Sequence, residues 1–203
     1  MSRVDEREAV IKLAEYLRKL APYKIWYRTN YVLRSSEFFP TQPEIDLIIC
    51  RIEKDEKFPP ILAAEVKYVR STKDGYINPS YYSGLDEALA LLVLGFDNVL
   101  LIHLVEEKLL TTVFLNYAKT LSDIIRGLKL PIGYRVYALS VSDSDISFYR
   151  FVRSRTGSIV DLRSLWVEPP PNPLLTDNSD LGKLAKKNRK ALARTLGIRL
   201  SSL

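Results

Sequence analysis

The chain has 203 residues, of which 47% are hydrophobic and 27% charged, a balance that suits one globular unit with a sizeable core. With one cysteine and one histidine it has neither a disulfide framework nor a Cys/His zinc site, so any metal must be held by oxygen, which points to Mg²⁺ or Mn²⁺. The net charge is +6, and from Pro169 onwards seven basic residues stand against two acidic ones, so five of the six net charges lie in a tail suited to an anionic polymer.

Taken in order, Val4–Leu20 has the spacing of an amphipathic helix, with Val10, Leu13, Leu17 and Leu20 on one face and Pro22 after it. Extended back by four residues, that face reaches Glu6, while Glu8 points elsewhere. Tyr23–Asn30 alternates as a first strand, and Tyr31–Gln42 connects it to an apolar run from Pro43 to Ile49. A charged loop, Glu53–Lys57, leads to a third run, Ile61–Tyr68. Arg70–Ser80 is polar and irregular, with a Lys73-Asp74-Gly75 turn signal.

An Ala- and Leu-rich helix is expected over Tyr81–Leu94, ended by Gly95. The almost wholly apolar Asn98–Val105 has the pattern of a central strand covered on both faces. Lys108–Leu128 reads as a second long helix and Tyr134–Val141 as a further strand. Ile146–Val152 and Ser158–Leu162 suggest a small terminal β element. Residues 1–168 thus form the expected core, 169–179 a stiff proline-rich linker departing from it, and 180–203 a basic C-terminal helix. In that helix Leu181, Leu184, Ala185, Leu192 and Leu196 form an apolar stripe expected to dock, leaving the basic face outwards. The order of elements implies an α/β fold, a mixed central sheet flanked by helices.

The chemically demanding residues are Asp46, Glu65 and Lys67. Charges on core strands cost several kcal/mol each unless they are paired or bind a metal. Glu65 and Lys67 are two apart and share a strand face, and a hairpin through Arg51–Pro60 brings Asp46 towards them. Two carboxylates and one ammonium at a sheet edge suit a divalent cation and a phosphate. The same residues also read as a salt bridge on an edge strand, with Asp46 at the start of a solvated strand.

Asp46, followed after eighteen residues by Glu65-Val66-Lys67 on a second apolar strand, resembles the motif of the PD-(D/E)xK nuclease superfamily. That resemblance implies a restriction-endonuclease-like core and a metal-dependent DNA endonuclease using Mg²⁺ or Mn²⁺. Asp46, Glu65 and the Val66 carbonyl would hold the metal, and Lys67 would orient or deprotonate the attacking water and stabilise the transition state. The run Glu6-Arg7-Glu8-Ala9-Val10-Ile11-Lys12-Leu13 is similar to the opening helix of the archaeal Holliday-junction resolvases. In that branch the helix acid, here Glu6, completes the metal site, and a loop serine before the aspartate, here Ser35 or Ser36, contributes as well.

The resemblance covers roughly Val4 to Val105 and implies a homodimer acting on branched or structured DNA. The chain departs from that branch in its length, in its second long helix and in Tyr81–Glu87, where many resolvases carry Lys or Gln. Its length and its Lys-, Glu- and Arg-rich composition suit an archaeal virus or plasmid. Arg70 and Lys73 read equally as phosphate contacts or as a solvated loop, and further nucleic-acid contacts are expected from Lys183, Lys186, Lys187, Arg189 and Lys190. Tyr76, Tyr81 and Tyr82 read equally as base-stacking or packing residues.

His103 reads as a satisfied core histidine and Cys50 as a small buried hydrophobe. No apolar stretch reaches the roughly 18–20 residues that span a bilayer, and the first residues carry acids, so a cytoplasmic protein without a membrane partner is expected. The rival expectation is a catalytically inactive nucleic-acid-binding or scaffold protein that keeps the nuclease fold. An RNA-directed nuclease is a second rival.

Overall fold

The computed structural model describes residues 4–34, 43–52, 59–70, 83–142, 145–153 and 158–198. Ser35, Ser36, Lys73, Tyr76, Tyr81 and Tyr82 lie outside them.

Helix α1, Glu6–Leu20, starts where the Asp5 carboxylate accepts a hydrogen bond from Glu8 N at 2.8 Å. It lays Ala9, Val10, Leu13 and Ala14 onto the sheet, whereas Leu20 at its far end is exposed. Strands β1 (Ile25–Val32), β2 (Glu44–Arg51) and β3 (Ile61–Val69) form an antiparallel meander. Helix α2 (Leu85–Val93) crosses to β4 (Asn98–Glu106), which pairs parallel to β3. Helix α3 (Thr112–Gly127) crosses in turn to β5 (Gly133–Val141), parallel to β4. Strand β6 (Ile146–Tyr149) closes the far edge antiparallel to β5. The result is an α/β fold with a mixed six-stranded sheet in order β1-β2-β3-β4-β5-β6.

Two apolar layers cover this sheet. One packs α1 on Leu47, Ala64, Val66, Ile102 and Tyr137; the other packs α2 and α3 on Ile48, Ala63, Leu101 and Val136. Strand β4 lies between both layers and is buried from Val99 to Val105, as its continuous apolar run predicts. Among the described residues no helix is long and apolar enough to cross a membrane.

Several boundaries differ from the expected ones. Helix α3 starts at Thr112 rather than Lys108, because Glu107–Leu109 forms a short 3₁₀ turn and the Thr111 hydroxyl then caps Phe114 N. The Ile146–Val152 run divides at Arg150. Its first part is β6, and Phe151–Arg153 (β7) pairs with Ile159–Asp161 (β8) as a separate ribbon.

The proline segment does not depart from the core. Asn98 Nδ2 donates to the carbonyls of Pro169 (3.3 Å) and Pro170 (3.1 Å), and Asn172 Nδ2 donates to those of Leu92 and Phe96 at 2.8 Å each. Asn172 thereby ties the segment to the last turn of α2 and to the residues just after it, adding to the Gly95 N–H that Leu92 O already accepts at 3.1 Å. Helix α4, Asp180–Thr195, follows and packs on α2. Its docking face keeps Ala185, Leu192 and Leu196 of the expected stripe but not its two other leucines. Leu181 and Leu184 are exposed, and the buried face is Gly182, Ala185, Asn188, Ala191, Leu192 and Ala193. Small residues let the helix approach closely. Gly95, at φ 88°, lies so near that an added Cβ would sit 2.5 Å from Arg189 N and 2.7 Å from Ala185 O.

Candidate functional site

Strands β2 and β3 pair only as far as Leu47↔Ala64. Beyond that point β2 continues alongside β1, through Ile45 and Glu44, and the β3 edge is left open. Open backbone donors on a partly buried edge require acceptors. Asp46 Oδ2 accepts from Val66 N at 2.8 Å, and Glu6 Oε2 accepts from Tyr68 N at 3.1 Å. The two acids thus take over where the β2 backbone leaves off. A strand residue presents its N–H and C=O to the same side, so the Val66 carbonyl faces the Asp46 side too.

On the neighbouring register positions Glu65 and Lys67 project together towards α2. Lys67 Nζ lies 2.7 Å from Glu65 Oε1 and 2.5 Å from Glu87 Oε2. The Lys67 stem runs past Gly84, whose φ is 83° and whose hypothetical Cβ would come within 3.0 Å of both Lys67 Cγ and Cε. Asp46 and Glu65 stand close enough for each carboxyl to act on the other. All four sequence-predicted residues, Glu6, Asp46, Glu65 and Lys67, line one cavity of about 400 Å³, together with Arg7, Asn30, Glu44 and Glu87.

Burial raises the Asp46 carboxyl above its ordinary range, against the Val66 N–H, and the charge of Glu6 adds to the rise. Burial, and next the Asp46 charge, push Glu65 up to about 8, with Lys67 opposing. Two carboxyls in such contact titrate as a pair and hold a proton between them near neutral pH. Burial works against the Lys67 ammonium, but hydrogen bonds to Glu65 and Glu87 more than offset it and hold the group above its ordinary range.

An all-oxygen donor set of two carboxyls that must otherwise share a proton fits a hard divalent cation such as Mg²⁺ or Mn²⁺. Asp46, Glu65 and the Val66 carbonyl would hold it. Glu6 is engaged at Tyr68 N, and no group of three His, Cys, Asp or Glu side chains is arranged to hold a metal among the described residues.

No protein-family model and no curated protein matches the chain.

The remaining predicted residues are dispersed. Arg70 is exposed directly after β3. On α4, Lys183, Lys187 and Lys190 are exposed, whereas Lys186 is half-buried and bonds Asn178. Arg189 turns inwards onto Asp97, with Nη2 2.9 Å from Oδ2, and so leaves the basic face. His103 is fully enclosed beneath Lys67, its β3 register partner. Its Nδ1 lies 2.9 Å from Tyr134 Oη and its Nε2 3.3 Å from the Ser83 carbonyl, which makes Nε2 the protonated nitrogen and Tyr134 the donor to Nδ1. Burial lowers its pKa to about 4, so it is neutral and structural near pH 7. Cys50 is buried, as expected.

Sequence reasoning missed Glu87, the second anion on Lys67, and Arg7, whose Nη2 reaches both carboxylate oxygens of Glu44 at 2.9 Å. It also missed Asn30, which belongs to β1 yet has a φ of 49°. The acid run at the start of α2 was the available signal for Glu87; its phase on the helix required the Gly84 turn.

Proposed function

We propose that this chain is a metal-dependent DNA endonuclease with a restriction-endonuclease-like core of the PD-(D/E)xK superfamily. One observation carries the reading: Asp46 and Glu65, from adjacent antiparallel strands, line a common cavity in which Lys67 Nζ lies 2.7 Å from Glu65 Oε1. The Val66 N–H requires an acceptor but not a second carboxyl beside it, and keeping Asp46 and Glu65 together is costly unless a cation neutralises them.

When bound, a divalent cation supplies charge neutralisation at the phosphate and lowers the pKa of water. Asp46 and Glu65 fix the position of that charge, and Val66 does so through its carbonyl. Lys67, held as an ammonium by two carboxylates, donates to a phosphate oxygen and stabilises negative charge developing there. Glu6 holds the edge of β3 at Tyr68. The exposed cations of α4 and Arg70 attract the DNA backbone. The likeness of the Glu6–Leu13 run to the opening helix of Holliday-junction resolvases supports branched or otherwise structured DNA as the substrate, with two copies acting together as a homodimer.

The alternative reading is a nucleic-acid-binding scaffold that keeps the fold without catalysis. Its support is that Asp46, Glu6 and Lys67 all have partners within the protein.

The test is cleavage of end-labelled four-way junction, flap, single-stranded and linear duplex DNA with Mg²⁺, Mn²⁺ or EDTA. Metal-dependent cutting by the wild type, lost in Glu65→Ala and Lys67→Ala, is the expected result. Cutting that survives both substitutions, or no cutting of any substrate, removes the catalytic assignment.

A further inference from the structure

Asn30 combines three features that backbone requirements alone do not account for. Its flanking residues Thr29 and Tyr31 pair with Leu47 and Ile45, so the register sets Asn30 opposite Asp46, at the position where the β1–β2 pairing is interrupted. Its φ of 49° is left-handed in the middle of a strand, where glycine would be the least strained occupant. Asn30 lines the cavity of Asp46, Glu65 and Lys67, half-buried, and its side chain makes no hydrogen bond to any described residue.

What asparagine adds over glycine is a carboxamide with two N–H donors. Both cationic side chains of the cavity are already held by acids, Lys67 by Glu65 and Glu87 and Arg7 by Glu44. An uncharged donor among so many carboxylates is not captured by them as strongly as a cation is, and stays available to an incoming anion.

We propose that Asn30 is a substrate-contacting residue whose carboxamide donates a hydrogen bond to a phosphate oxygen of the nucleic acid lying over Asp46. The inference rests on the nuclease reading above and adds a contact to it. The kinked strand is then the device that aims this donor into the cavity.

Asn30→Gly separates the two roles, since glycine relaxes the left-handed backbone and removes only the carboxamide. Steady-state cleavage of the preferred DNA substrate, Mn²⁺ affinity and thermal unfolding would be measured for wild type, Asn30→Gly and Asn30→Asp. The expected result is an Asn30→Gly protein as stable as wild type, with unchanged Mn²⁺ affinity and kcat/KM lower by about tenfold or more. Asn30→Asp, which tolerates the same backbone but repels phosphate, is expected to fall further. Undiminished kcat/KM in Asn30→Gly or in Asn30→Asp, beside an active wild type, overturns this inference alone. Loss of Mn²⁺ affinity in Asn30→Gly overturns it too, by assigning Asn30 to the support of Asp46. A wild type that cuts nothing overturns the nuclease reading and this contact with it.

Discussion

Asp46 Oδ2 accepts the Val66 N–H at 2.8 Å, in the place where the next β2 backbone carbonyl would stand if the two strands had stayed paired. One carboxylate therefore serves two ends: it closes the open edge of β3 and brings negative charge against Glu65. The two can be separated by substitution. Asp46→Asn keeps an acceptor for Val66 N and removes the charge, so its stability should stay within about 1 kcal/mol of wild type while metal binding is lost. Asp46→Ala leaves the N–H without its acceptor and should cost about 1–3 kcal/mol. Thermal and urea unfolding of the two variants checks the difference.

The acid pair gives a pH signature of its own. Burial and the Asp46 charge raise Glu65 from an ordinary 4.5 to about 8, so folding favours the protonated form. Its contribution to stability is fully present below pH 4.5 and is lost as the pH rises through about 8. Without divalent metal, Glu65→Gln should flatten this decline, which unfolding midpoints across that range would record.

His103 acts in the opposite direction. Burial lowers its pKa from 6.5 to about 4, so the unfolded chain takes up a proton that the folded chain refuses. Stability is unaffected above pH 6.5 and falls as the pH drops towards 4, by about 3 kcal/mol in all. His103→Gln should show a shallower acid limb than wild type in unfolding experiments, with the Tyr134 and Ser83 contacts partly retained.

Gly84 tests the placement of Lys67. A methyl group there would lie 2.8 Å from Leu101 Cδ1 and 3.0 Å from Lys67 Cε, at a φ of 83° that alanine adopts poorly. Gly84→Ala should cost about 1–3 kcal/mol and displace Lys67 from Glu87, lowering cleavage beyond what the stability loss explains. Activity measured well below the unfolding midpoint distinguishes the two effects.

The C-terminal segment should prove integral to the fold. Asn172 is 3% exposed and supplies donors to two carbonyls at the end of α2. Asn172→Ala is expected to lower stability by about 2–3 kcal/mol, read by urea unfolding.

How much of this was legible in the sequence depends on the reach of each signal. Period-two alternation in two apolar runs was enough to place Glu65 and Lys67 together and Asp46 on the neighbouring strand. The helical stripe led to Glu6 because its phase is local. The fate of the basic residues was not local. Arg189 and Lys190 look alike in sequence, yet Asp97, 92 positions from Arg189, holds the former and leaves the latter exposed. The docking face of α4 was legible in part: Ala185, Leu192 and Leu196 lie on it, but leucines dominate a periodicity count, so the exposed Leu181 and Leu184 were included while Gly182 and Ala191, which close helix approach selects, were not. A left-handed asparagine inside a strand has no periodic signature, so Asn30 emerged only from the backbone.

The most direct measurement of the account is calorimetric titration of the protein with Mn²⁺ at pH 7 in buffers of differing ionisation enthalpy, for wild type, Asp46→Asn and Glu65→Gln. The acid pair, raised by burial, should bind Mn²⁺ in the wild type with release of about one proton, and affinity should fall by at least tenfold in either variant. Absence of Mn²⁺ binding by the wild type, or binding that both substitutions leave intact, would contradict a metal-dependent site at Asp46 and Glu65 and favour the scaffold reading.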